Sequence, residues 1–157
     1  FPLIRSRVFG LDDKALYTVQ IEFRFSDEFK YRFYNGEWKT TPRTDIRTMH
    51  SQPPIIYQHP DSPNYGSHWK KDIISFSKLK LTNSQNNKKS DIVFLQSLHK
   101  YDPVINIYKH AGKSSDANED MVLVHSCLFK ETQFIAVTAY QNERVSHILI
   151  YLKNIFV

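Results

Sequence analysis

The reactive and metal-ligating side chains of this sequence are distributed in a way that assembles no catalytic group. Seven histidines stand at positions 50, 59, 68, 99, 110, 125 and 147, without the spacing that puts two imidazoles on one helix face. The single cysteine, Cys127, follows Ser126 at the end of an apolar stretch. It reads there as a small buried hydrophobe rather than a nucleophile. One cysteine closes no intrachain disulfide, which fits a reducing compartment. Four glycines leave little material for a phosphate-cradling loop, and neither a nucleophile elbow nor a zinc-protease motif is present. The expectation is therefore a non-enzyme with no metal and no cofactor.

Positive charge set among amides and hydroxyls is more informative. The formal net charge is +5, and residues 61–110 hold eight Lys/Arg against four Asp/Glu. The segments before and after hold nine against seven and four against five. The middle third thus carries Lys70, Lys71, Lys78, Lys80, Lys88 and Lys89 among Ser, Thr, Asn and Gln. Such cations neutralise phosphates, while Asn, Gln and Arg side chains can read base edges. The same composition also suits a solvated basic face, so charge alone leaves both readings open.

The elements that would position these side chains are mostly strands. In Leu16–Phe25, Tyr17, Val19, Ile21, Phe23 and Phe25 alternate with polar residues, the period of a half-buried strand. Asn35-Gly36 between Tyr31–Tyr34 and Glu37–Lys39 is a two-residue hairpin signal, because both turn positions need positive φ. Ile55–Tyr57 reads as a short strand, and Ile73–Leu81 as an alternating one with Lys78 and Lys80 facing the same way. Ile92–Leu95 is a continuous apolar run, expected to be buried on both faces. Tyr101-Asp102-Pro103 is expected to break the chain before a strand over Val104–Lys109, and Met121–His125 and Phe134–Thr138 complete the set. Ser62-Pro63 can open one helical turn with proline first. Val145, Ile148, Leu149 and Leu152 fall at i, i+3, i+4 and i+7, which predicts a helix from about Glu143 to Lys153 capped by Asn142. Some eight strands and one late helix predict an all-β sandwich as a single domain over residues 1–157. Val19, Ile21, Phe23, Ile92, Phe94, Phe134, Trp38 and Trp69 are its expected core. No apolar run nears the ~18 residues of a membrane span, so no membrane partner is expected.

Five segments carry a more specific signal. Tyr34–Trp38 is close to YVNGEW, His59–Trp69 to HPDSPNFGAHW, Ser75–Asn83 to SFSKVKLTN, Ser97–Pro103 to SLHKYEP, and Glu131–Glu143 to ETQFIAVTAYQNE. In this order, across nearly the whole chain, they resemble the T-box transcription factors of the Brachyury type.

The resemblance implies an immunoglobulin-like β-sandwich with a C-terminal helix and short helical turns, which binds double-stranded DNA at a half-site resembling TCACACCT. It implies a nuclear regulator of RNA polymerase II genes, often developmental. Its expected partners are DNA, other transcription regulators and a second copy on paired half-sites. Carried over by position, it places Lys78, Lys80, Thr82 and Asn83 in a backbone-contacting strand and loop. Thr138, Ala139, Tyr140 and Gln141 take the segment approaching DNA before the last helix. Lys153, Asn154, Ile155 and Phe156 take the C-terminal segment, where Ile155 or Phe156 would act as an apolar minor-groove wedge. Lys70 and Lys71 are phosphate partners of lower specificity.

The chain also departs from the family. It begins at Phe1-Pro2, where the family has a preceding Arg-Arg-Met stretch that touches DNA. Its Asn154-Ile155-Phe156-Val157 lacks the family's Pro and second Phe, and Ser84 replaces a usual Lys. The expected domain therefore lacks its first strand region and the end of its C-terminal helical segment. The alternative from another class is a sandwich that binds a protein partner along an exposed edge.

Overall fold

The computed structural model describes residues 3–42, 53–85, 89–111, 121–138 and 150–157. Its larger sheet is built on the strand that the alternation predicts, β2 (Leu16–Phe25), and on β10 (Lys100–His110). The two pair antiparallel from Tyr17↔Lys109 to Phe25↔Tyr101. Strand β11 (Met121–Leu128) flanks β10, and β5 (Ile55–Gln58) flanks β2, giving the order β11-β10-β2-β5. Two short strands, β6 (Asn64–Tyr65) and β12 (Phe134–Ile135), pair with β2 and β10 respectively.

A second sheet joins β1 (Leu3–Phe9), β7 (Ile74–Ser75) and β13 (Ile150–Phe156) in the order β13-β1-β7. Strands β1 and β13 run parallel from Leu3↔Ile150 to Phe9↔Phe156. Strands β8 (Lys80–Thr82) and β9 (Ile92–Phe94) form a small parallel pair. The core lies between the two sheets. Val19, Ile21, Phe23, Ile105 and Ile107 come from the large sheet, and Ile4, Val8, Ile74 and Ile155 from the small one. This is an all-β, immunoglobulin-like sandwich.

The hairpin is also as predicted: β3 (Phe29–Tyr34) and β4 (Glu37–Pro42) pair around Asn35 (φ 51°) and Gly36 (φ 80°). It forms its own two-stranded sheet. Trp38 is therefore 44% exposed rather than a core residue, and its ring meets Phe33 across the ribbon. Trp69 is buried, and its indole N–H donates to the Tyr17 and Asn64 carbonyls at 3.2 Å.

Four other expectations are corrected. The C-terminal helix would run to Lys153, but from Ile150 onward the described chain is strand β13. The apolar i, i+3, i+4 positions there overlap a run of Ile, Leu and Tyr that suits a pleated sheet as well, and pairing with β1 decides it. Pro103 lies inside β10 instead of breaking it. Its missing N–H falls where one neighbour of β10 changes from β12, paired at Lys100–Tyr101, to β11, paired from Val104. In β9 only Val93 is buried, and Ile92 and Phe94 are half-buried, because the strand sits at the margin of the core. Residues Ile73–Leu81 are not one strand, since a turn at Ser77-Lys78 separates β7 from β8.

The helix after β6 is α1 (Gly66–Lys71), which starts three residues beyond Pro63. The proline is thus not its first residue. Ser62 instead staples the loop to β2: its Oγ accepts from Val19 N–H at 2.9 Å and donates to Val19 carbonyl oxygen at 3.1 Å.

Candidate nucleic-acid interface

Burial of Phe76 and Leu79 pins the chain on either side of Ser77-Lys78, with Leu79 N–H donating to Phe76 carbonyl oxygen at 3.1 Å. Lys78 is left exposed on that turn. Lys80 follows at the start of β8, and its ammonium lies 3.6 Å from the Asp91 carboxylate. Both side chains are well exposed, so this ion pair is weak and Lys80 can exchange Asp91 for another anion.

At the end of β8, Thr82 uses its hydroxyl to accept from Ser84 N–H at 3.1 Å. This side-chain turn fixes the loop and presents Asn83 to solvent. Leu95 N–H donates to Thr82 carbonyl oxygen at 2.9 Å, tying the loop to the connection between β9 and β10. That connection is a hub. Leu98, at φ 65°, donates to Ala136 carbonyl oxygen at 2.6 Å and accepts from Tyr31 N–H at 2.8 Å, while Ala136 N–H donates to His99 carbonyl oxygen at 2.9 Å. Two residues beyond Ala136, Thr138 is exposed.

The loop of Lys80, Thr82 and Asn83 is therefore tied through Leu95–Leu98 to Ala136, two residues before Thr138 and close to the start of β10, while Lys78 lies on the turn nearer His59. Ala139, Tyr140 and Gln141 lie outside the described residues.

The remaining expected residues are elsewhere. Asn154, Ile155 and Phe156 sit on β13 opposite Arg7, Val8 and Phe9, and Lys153 takes the place opposite Ser6. Phe156, stacked on Phe9, and Lys70, paired with Asp13, lie near the start of β2. Ile155 is 1% exposed and packed in the core, so its expected role as a wedge does not fit this structure. Phe156 is 70% exposed and stacked on Phe9 at 5.1 Å between ring centroids. Lys70 is engaged with Asp13 at 2.5 Å, and Lys71 is exposed on the same short helix.

The histidines belong largely to the frame. His110 Nε2 is 2.8 Å from Thr18 Oγ1, and His68 Nε2 is 3.3 Å from an Asp61 oxygen. The His59 ring lies edge-on to Trp69 and Phe76. Its Nδ1 accepts from Asp61 N–H at 3.2 Å and its Nε2 meets Ser75 carbonyl oxygen at 3.2 Å, so the neutral ring with the proton on Nε2 satisfies both. Burial holds the His59 pKa below the ordinary histidine value. Nearby Asp61 and the Ser75 bond work against that shift, and His68 and Lys78 reinforce it. Cys127 is half-buried and packs against the core.

Sequence reasoning missed the cations of the ribbon: Lys30, Arg32 and Lys39 are all exposed. Counting outward from Asn35-Gly36 would have found that Arg32 and Lys39 face each other.

Comparison with known proteins shows the family. The family model for the T-box matches residues 1–156. T-box transcription factor T of Xenopus laevis is 44% identical over 146 residues, covering 93% of this chain and 31% of that protein. T-box transcription factor T homolog 1 of Branchiostoma floridae is 44% identical over 93% of this chain and 30% of its own length. T-box transcription factor TBX19 of Mus musculus is 42% identical over the same shares. The chain spans about a third of the length of the curated relatives it matches. With its five motifs, its sandwich and a family match over nearly its whole length, the chain belongs to the T-box family.

Proposed function

We propose that this domain binds double-stranded DNA sequence-specifically as the reading module of a nuclear regulator of RNA polymerase II genes, through a half-site resembling TCACACCT in developmental transcription. The observation that carries this reading is the backbone linkage of the Lys80–Asn83 loop through Leu95–Leu98 to Ala136, beside Thr138, with Lys78 exposed on the preceding turn. In this reading Lys78 and Lys80 take phosphates, while Asn83 and Thr138 supply hydrogen-bonding groups beside them. The names of the relatives, all T-box transcription factors, support it. Ala139, Tyr140 and Gln141, outside the described residues, join these contacts in the reading that the family resemblance implies. Lys153, Asn154 and Phe156, with Lys70 and Lys71, meet DNA only if the duplex lies along the domain rather than across its end. Other regulators and a second copy on paired half-sites are the further partners of this reading.

Titration against a duplex bearing the half-site and a scrambled duplex, each at ~50 and ~200 mM salt, tests it. Site-specific binding at least ~10³-fold tighter than scrambled is the expected result. Lys78→Ala and Lys80→Ala should each flatten the dependence of log K on log salt by about 0.9, without changing the preferred sequence. Unchanged slopes would remove both from the phosphate contacts.

One observation favours the second reading, a protein-interaction module. Among the described residues strand β11 lies at the edge of its sheet and exposes Met121, Val122, Leu123 and Val124 in succession. Failure to bind either duplex would bring that edge forward.

A further inference from the structure

The β3–β4 ribbon has two unlike faces. Side chains alternate along each strand, so Phe29, Tyr31, Phe33, Trp38, Thr40 and Pro42 share one face, and Lys30, Arg32, Tyr34, Glu37, Lys39 and Thr41 the other. On the second face Arg32 pairs directly with Lys39, and Lys30 follows on the same side. The Lys39 ammonium lies over the Tyr34 ring at 5.3 Å.

Two like charges directly opposite on an antiparallel pair destabilise it. Lys39 has the Tyr34 ring beneath it, but no carboxylate of the ribbon stands opposite either charge. Among the described residues none of Lys30, Arg32 and Lys39 forms an ion pair, and the one carboxylate of that face, Glu37, stands opposite Tyr34 at the tip. The Asp27 carboxylate near the base accepts from the Tyr31 hydroxyl and from Phe29 N–H, both belonging to the aromatic face. The basic face is thus a row of solvent-exposed cations set against one another, the arrangement that a polyanion relieves.

The ribbon's position selects the polyanion. Tyr31 N–H donates to Leu98 carbonyl oxygen in the hub that also holds Thr82 and Ala136, so the ribbon springs from the same end as Lys80, Asn83 and Thr138. A six-residue strand reaches about 20 Å, or roughly six base pairs of duplex.

We infer that Lys30, Arg32 and Lys39 form a second, sequence-independent grip on the phosphates of duplex DNA flanking the site read by the Asn83 end. The inference rests on the DNA-binding reading above and deepens it.

The test compares two duplexes that carry the same half-site, one of about 12 and one of about 24 base pairs, with the wild-type domain and the pair Arg32→Gln/Lys39→Gln. The wild type should bind the long duplex with the steeper salt dependence. Removing two phosphate contacts should lower that slope by about 1.8 on the long duplex and leave the short one unchanged. The melting temperature should hold or rise, because the opposed charges are gone. The charge-keeping swap Arg32→Lys/Lys39→Arg should behave as wild type.

Retained half-site binding with equal slopes for wild type and the glutamine pair would overturn the flanking grip and leave the DNA reading standing. Equal loss on both duplexes, or equal loss in the charge-keeping swap, would also overturn it, since the effect would then be one of placement or folding. Wild-type protein that fails to discriminate the half-site on either duplex would bring down the DNA reading itself, and the grip with it.

Discussion

Strand β10 and the β3–β4 ribbon are both antiparallel structures, yet they are held in opposite ways. In β10, Tyr101, Ile105 and Ile107 are buried in the core and its pairing partners are remote in sequence: β2 on one side, β11 and β12 on the other. The ribbon closes on itself through a two-residue turn and leaves nearly every side chain exposed. Stability should therefore be concentrated in the first region and nearly absent from the second, leaving the ribbon's side chains free to meet something other than the protein.

The sharpest break of that contrast is Ile105→Ala. A fully buried isoleucine cut back to alanine should cost about 3–4 kcal/mol, read as a lower denaturation midpoint with an unchanged m-value. A loss below about 1 kcal/mol would mean that the site collapses around the cavity. His59 lies between the extremes, because it braces the loop after β5 and its proton state matters. Its pKa is lower in the folded state than in the unfolded chain, so the unfolded chain takes up the proton first. The neutral ring's contribution is complete above the ordinary histidine value of about 6.5 and is lost as pH falls below it. His59→Gln should flatten the fall in melting temperature between pH 7 and 5, and an equally steep fall would assign the dependence to other groups. The smallest effect is expected from Trp38→Ala, under about 1 kcal/mol despite the size of the side chain, since the ring is 44% exposed and meets Phe33 on an exposed ribbon. A large loss there would erase the contrast altogether.

The same contrast governs what could be read beforehand. Strand β2 alternates because one face is covered along its length, and Asn35-Gly36 specifies its turn through backbone conformation alone, so both were legible. Trp38 was not: a tryptophan on a hairpin is buried only if another layer covers it, and residue type carries no record of the layer. Pro103 misled for a related reason, since a proline is tolerated inside a strand only where no partner needs its N–H, and here that depends on β11 and β12 arriving from distant parts of the chain. The end of the predicted helix, from Ile150 onward, satisfies a helical and a pleated pattern together, and its parallel pairing with β1 breaks the tie.

The candidate site followed the same logic. The motif around Lys78–Asn83 was recognisable, but its meeting with Thr138 is made by backbone bonds through Leu95–His99, which no side-chain spacing encodes. The opposed pair Arg32–Lys39 was readable in principle, by counting from the turn.

The parallel pairing of β1 with β13 has a mechanical consequence. The chain enters β1 at Leu3 and leaves β13 at Phe156, at opposite ends of a seven-residue parallel ladder. Tension between the flanking chain segments would draw the two strands past each other along their length, loading the ladder's hydrogen bonds together rather than peeling them one at a time. A domain anchored in this way to a scaffold on each side resists pulling as a clasp in shear, and under force it should open as one abrupt event set by its unfolding rate.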